Sequence, residues 1–192
     1  MPTPLLIRIG IWIWLLAALY AGNRGLLQRM PMPAVQGVLF GLTAILLLLC
    51  FKLRSLRAWI DGLDLRSLVL LHVTRFVGIY FLILYHRGEL PYEFAVPGGW
   101  GDNVVAALAL GVAFWPMSDA RRRRAMTIWN ALGFADILLV VFTAARIGLT
   151  APWRLLALTY LPLSLLPTFL VPLILATHVI IFLRLRRETP VP

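Results

Sequence analysis

Six apolar runs, at 5–20, 34–51, 68–85, 104–117, 125–147 and 169–183, are separated by short segments in which most of the arginines collect. This pattern constrains the fold more than any other feature. An α-helix needs about 20 predominantly apolar residues to cross a hydrocarbon core about 30 Å thick, and each run with its flanks approaches that length. Lipid offers the backbone no water to bond, so each crossing must satisfy its own hydrogen bonds as a helix. A transmembrane barrel would need alternating segments of about 10 residues, whereas these runs are continuous. The chain is 61% hydrophobic and 14% charged over 192 residues, with a mean hydropathy of +0.88. A soluble domain averages about 45–50% apolar and about 25% charged, so the excess here must face lipid.

The expected fold is therefore all-α: one integral membrane domain over 1–192 with six transmembrane helices, near 5–22, 34–51, 67–87, 103–118, 125–147 and 168–185. The segment 153–166 is apolar but broken or bounded by Pro152, Pro162 and Pro167, and is expected to form a further helix lying in the interface. The first 22 residues are shaped like a signal sequence with a single Arg8, but they end without an A-x-A site and read as a retained first span. The lone Cys50 excludes an intrachain disulfide.

Charge placement supplies an orientation. In a six-span chain Arg8, Lys52, Arg54, Arg57, Arg66, Arg121, Arg122, Arg123, Arg124, Arg184, Arg186 and Arg187 share one side, against Arg24, Arg29, Arg87, Arg146 and Arg154 on the other. The positive-inside rule makes the richer side cytoplasmic and puts both termini there. A seventh crossing would move the last basic cluster across and spoil the bias. The net charge of +10 is thus read as helix anchoring on anionic headgroups, with no nucleic acid as partner. Arg121, Arg122, Arg123 and Arg124 are the strongest such anchor.

Ionisable residues inside a span are costly and mark function or a specific pairing. Arg75 lies nine residues after Arg66, and Asp136 twelve after Arg124. Both spans run outward from the cytoplasm, so these opposite charges share a mid-membrane depth and are expected to pair. His72, Asn130 and His178 each lie six residues inside a basic boundary, about 9 Å deep. They are expected to form a second polar layer. His72, Arg75, Leu82 and His86 fall along one helical face, and Thr168, Val171, Leu175 and His178 along another, with Pro172 as a kink. Spans three, five and six should enclose this polar core, with spans one and two as an apolar flank.

The segment 88–103 reads as a periplasmic loop, with Pro97, Gly98, Gly99 and Gly101 in tight turns. It carries Glu89, Glu93, Trp100 and Asp102, and Asp102 is placed to cap the next helix.

The stretch 75–102, R-F-V-G-I-Y-F-L-I-L-Y-H-R-G-E-L-P-Y-E-F-A-V-P-G-G-W-G-D, is followed by W-N-A-L-G-F-A-D at 129–136 and L-P-T-F-L-V-P at 166–172. Together these resemble a group of small, uncharacterised bacterial inner-membrane proteins over roughly the C-terminal two-thirds. The resemblance implies a bacterial inner (cytoplasmic) membrane and brings no activity.

No Ser-His-Asp, Cys-His or paired-carboxylate spacing forms a catalytic set. The expectation is a non-enzymatic protein: a subunit of a membrane complex, or a small solute or ion pathway, working as a homo-oligomer or with other membrane subunits. One alternative is an electron-transfer subunit with b-type haem between His72 and His178. Another is a membrane enzyme acting on a lipid-linked substrate through Asp136 or His178. Zinc is disfavoured because no third ligand lies at the histidine depth.

Overall fold

A computed structural model describes residues 4–187, with the side chain of Met32 left aside, and the described residues contain helices and no strand. In chain order the α-helices are α1 (Leu5–Asn23), α2 (Met32–Lys52), α3 (Arg54–Asp61), α4 (Leu65–Leu71), α5 (Gly78–His86), α6 (Tyr92–Phe114), α7 (Asp119–Thr150) and α8 (Val171–Arg187). Short 3-10 stretches occupy Leu27–Arg29, His72–Val77 and Pro152–Thr159, and a π-turn occupies Leu166–Leu170. Five segments are long and apolar enough to cross a membrane: Leu5–Asn23, Pro33–Lys52, Leu65–His86, Asp119–Thr150 and Leu166–Arg187. Helix α6 has the length, at 23 residues, but falls short of their apolarity.

The contacts divide the chain into two compact units. The first holds residues up to Leu63 together with Ala145–Ala176. Here α1 ends in a Schellman turn: Leu26 N–H bonds Ala21 O at 3.0 Å, Gly25 N–H bonds Gly22 O at 3.2 Å, and Gly25 takes φ +64°. That conformation suits a residue without Cβ. Few residues of α1 and α2 are buried, which suits helices turned toward lipid. Helix α3 places Arg54 and Arg57 outward and Ile60 inward, so an amphipathic helix occurs here, directly after α2.

The interfacial helix expected over 153–166 takes a different form. The segment is a 3-10 helix ending at Thr159, an irregular turn with a cis Leu161–Pro162 bond, and then the π-turn. Prolines remove the N–H groups that a continuous α-helix would need. Pro172 lies in the first turn of α8, where a missing N–H costs least. The Thr168 carbonyl, four residues back, instead accepts the Trp14 indole N–H at 2.8 Å.

The second unit holds Asp64–Ala144 and the chain from Thr177 onward. Asp64 caps α4, its carboxylate accepting the Arg66 N–H at 3.0 Å. Helix α5 closes with a second Schellman turn at Gly88, φ +74°, where Glu89 N–H bonds Leu84 O at 2.9 Å. Pro91 then starts α6, which packs back along α5 and the His72–Val77 stretch. The loop expected over 88–103 is therefore helical from Tyr92 onward, with Pro97 inside the helix. The reason is packing. Gly98 and Gly99 are buried, and a Cβ on Gly99 would lie 2.8 Å from the Gly78 carbonyl oxygen. These glycines permit backbones to touch, as small residues do between membrane helices.

Replacing Gly78 by alanine puts a Cβ 2.5 Å from Gly99 O and 2.9 Å from Asp102 Cβ. The expected loss is about 1–3 kcal/mol, read as a lower thermal midpoint in detergent. Gly111→Ala, with nothing within 4 Å of the new Cβ, should leave stability unchanged or slightly raised.

Candidate functional site

The second unit contains a fully enclosed arginine. In a 3-10 helix residues i and i+3 eclipse one another, so His72 and Arg75 line up on one edge, about 6 Å apart along the axis. On α7, Asn130, Gly133 and Asp136 follow at three-residue steps on one face. Helix α6 contributes Asp102, and α8 contributes Thr177 and His178.

Arg75 is 1% exposed. Its Nε donates to Asp102 Oδ1 at 2.6 Å, its Nη1 to the Gly133 carbonyl at 2.9 Å, and its Nη2 to Asp136 Oδ2. One rigid guanidinium thus joins its own segment to α6 and α7. Arg75 and Asp136, matched in depth in the sequence, meet here. Asp102 joins them from mid-helix and caps nothing. Glycines make the room: a Cβ on Gly101 would run into the Asp136 carboxylate, with Cγ only 2.8 Å away. A Cβ on Gly78 would press Asp102. The side chain of Asp136 keeps 19% exposure, against 5% for Asp102.

The second layer also assembles. Asn130 Nδ2 donates to the His178 carbonyl at 3.1 Å, which turns Asn130 Oδ1 toward His178 Nδ1 at 2.8 Å. That network assigns the proton to Nδ1 and leaves His178 Nε2 a bare acceptor. His72 Nε2 lies 3.2 Å from Thr177 Oγ1. Neither His72 Nδ1 nor His178 Nε2 has a hydrogen-bond partner among the described residues, although both rings are fully buried. Trp129 walls the layer, its indole donating to Val105 O at 3.0 Å and its ring meeting His72 edge-on at 5.0 Å. The two imidazoles touch, with centroids 4.3 Å apart. A porphyrin held between them would have to separate the rings by two iron–nitrogen bonds, and rings in contact leave no plane for it. The alternative of a haem between His72 and His178 does not fit this arrangement.

The other singled-out residues lie apart from the centre. Glu89, Glu93 and Trp100 are exposed, as is His86, which leaves the polar face because the 3-10 turn changes the register. Two of the four consecutive arginines are used within the unit. Arg122 donates to the carbonyls of Val112 (2.8 Å), Ala113 (3.2 Å) and Trp115 (3.1 Å), closing the C-terminus of α6. Arg123 donates to Leu185 O. Arg121 and Arg124 are exposed. The sequence singles out Asp102 as a helix cap and not as a partner of Arg75, because P-G-G-W-G reads as turns. The signal available was the enrichment of glycine and proline in membrane helices.

Residues 32–186 match the family described as a domain of unknown function, DUF8737. The match spans most of the chain, which therefore belongs to that family. Neither a curated protein nor a solved structure matches.

Arg75→Ala leaves two carboxylates without their buried partner and should cost about 3–5 kcal/mol. Arg75→Lys should lose nearly as much, since a point-like ammonium cannot reach three divergent acceptors. Asp136→Asn leaves a balanced pair and should lose least. Thermal unfolding of the three variants in one detergent checks the order.

Proposed function

We propose that this DUF8737 protein is a six-span protein of a bacterial inner membrane, with both termini in the cytoplasm, that provides a small ion pathway through its buried polar centre. Five crossings are the apolar segments described above, and α6 is the sixth. At 23 residues it is about 35 Å long, enough for a hydrocarbon core of about 30 Å. Its interior charge, Asp102, is offset by Arg75 within the protein. With α6 counted, the basic residues fall twelve to five toward one face, which supports the orientation.

The observation that carries the functional reading is Arg75 at 1% exposure with two carboxylates around it. A single ion pair would suffice to fix helix register. A second carboxylate, kept partly accessible, exceeds that need, and buried ionisable groups in membrane helices mark ion and proton routes. The Asn130–His178–His72 layer extends the polar groups along the same elements. A chain of this size has few helices with which to enclose a route alone. The working unit is a homo-oligomer or a complex with other membrane subunits, embedded in lipid with Arg121 and Arg124 at the headgroups.

Full-length protein in liposomes, under an imposed potential, should pass protons or alkali cations, detected by entrapped dyes. Asp136→Asn should lower the flux at least tenfold, and flux no higher than in protein-free vesicles removes the reading. In a Cys50→Ser background, Ser118→Cys should label only from the cytoplasmic side and Glu89→Cys only from outside. Labelling of both from one side would overturn the topology.

A further inference from the structure

We infer that the Arg75–Asp102–Asp136 centre carries one exchangeable proton, taken up at Asp136, and that the ion served by the proposed pathway is H+. Only the transport step rests on that reading of the centre; the proton itself follows from charge and geometry. One guanidinium and two ionised carboxylates sum to a net negative charge among apolar helices, where an unbalanced charge is strongly disfavoured. Among the described residues Arg75 is the only basic side chain in ion-pair contact with either aspartate. No group of three or more His, Cys, Asp or Glu there is arranged to hold a metal ion. A proton is the occupant that needs no further ligands.

Geometry selects the carboxylate. Asp102 is 5% exposed in its side chain, with Oδ1 held by Arg75 Nε at 2.6 Å. Asp136 is 19% exposed, and only its Oδ2 takes an Arg75 N–H. Its Oδ1 lies against Gly101, where any Cβ would strike it. The absence of a side chain at position 101 thus leaves room for this oxygen. Hydronium gives H+ to Oδ1, an O–H bond forms, water leaves, and the centre becomes neutral. Loss of the proton to water on the other side restores the starting charge.

A second acceptor lies nearby. His178 Nε2 has no partner among the described residues, and it packs against Gly133, 3.4 Å from where a Cβ would sit. Gly133 is the residue whose carbonyl binds Arg75. The titratable and charged groups around Asp136 are therefore Arg75 and His72 from the His72–Val77 stretch, Asp102 from α6 and His178 from α8.

The test is infrared spectroscopy of full-length protein in lipid nanodiscs, with aspartate carboxyls isotopically labelled. The wild type should show a protonated aspartic-acid carbonyl band at neutral pH that shifts in D2O and disappears at alkaline pH. Asp136→Asn and Asp102→Asn should each abolish it, because each leaves a balanced pair, whereas Glu93→Gln should retain it. A wild type without the band at neutral pH overturns the inference, and needs no variant to fold. So does a band that survives both substitutions, or stabilisation by sodium or potassium in place of the band. A band without proton flux in liposomes upholds the proton site and removes the pathway. Flux without the band does the reverse.

Discussion

Arg75 is the interaction on which the second unit depends. A guanidinium removed from water must recover its hydration in hydrogen bonds, and in this unit they come from three directions: Asp102 on α6, and Gly133 and Asp136 on α7. Each partner restricts the backbone that carries it. Asp102 reaches Arg75 only because α6 begins at Tyr92 and continues through Pro97, which brings Gly99 against Gly78. Asp136 fits only because position 101 has no side chain. The glycines and the ion cluster are one device, since close backbone approach places the acceptors and the acceptors balance the arginine.

The 3-10 stretch at His72–Val77 belongs to the same device. A regular α-helix would rotate His72 and Arg75 about 60° apart, whereas three residues per turn stack them on one edge. That stacking lets one short stretch supply both layers, with the arginine facing the aspartates and the histidine facing Thr177 and His178. Asn130, Gly133 and Asp136 answer with their own three-residue steps along α7. Aromatic packing by Trp129 holds the imidazoles in contact, and two of their nitrogens remain without partners among the described residues. The polar groups are unevenly satisfied: each nitrogen of the arginine has an acceptor, while His72 Nδ1 and His178 Nε2 have no partner among the described residues.

The first unit solves a different problem. Its helices α1 and α2 carry almost no polar side chains, and few of their residues are buried. Its irregular backbone lies at the proline-rich connection between α7 and α8. There the Trp14 indole donates to the Thr168 carbonyl that Pro172 cannot serve, and its ring packs on Phe169 at 4.7 Å. Thr168 in turn bonds Ser164 O at 2.7 Å. A membrane protein can break a helix where side chains satisfy the freed carbonyls.

The apolar runs alone determined that the chain is helical, where the five segments long and apolar enough to cross a membrane lie, and that Arg75, Asp136, His72, Asn130 and His178 would need partners. Those conclusions rest on local quantities, namely run length, residue type and rise per residue, which the sequence carries directly. Tertiary structure decided what depth could not. It turned P-G-G-W-G from a loop into a helix, because close packing against Gly78 outweighs the local turn preference of glycine and proline. It moved Asp102 from a helix cap to the arginine, pressed the two histidines into contact, and drew Arg122 onto the carbonyls of α6. Each of these depends on which helix lies beside which, and that is settled only when all the buried groups must be satisfied together.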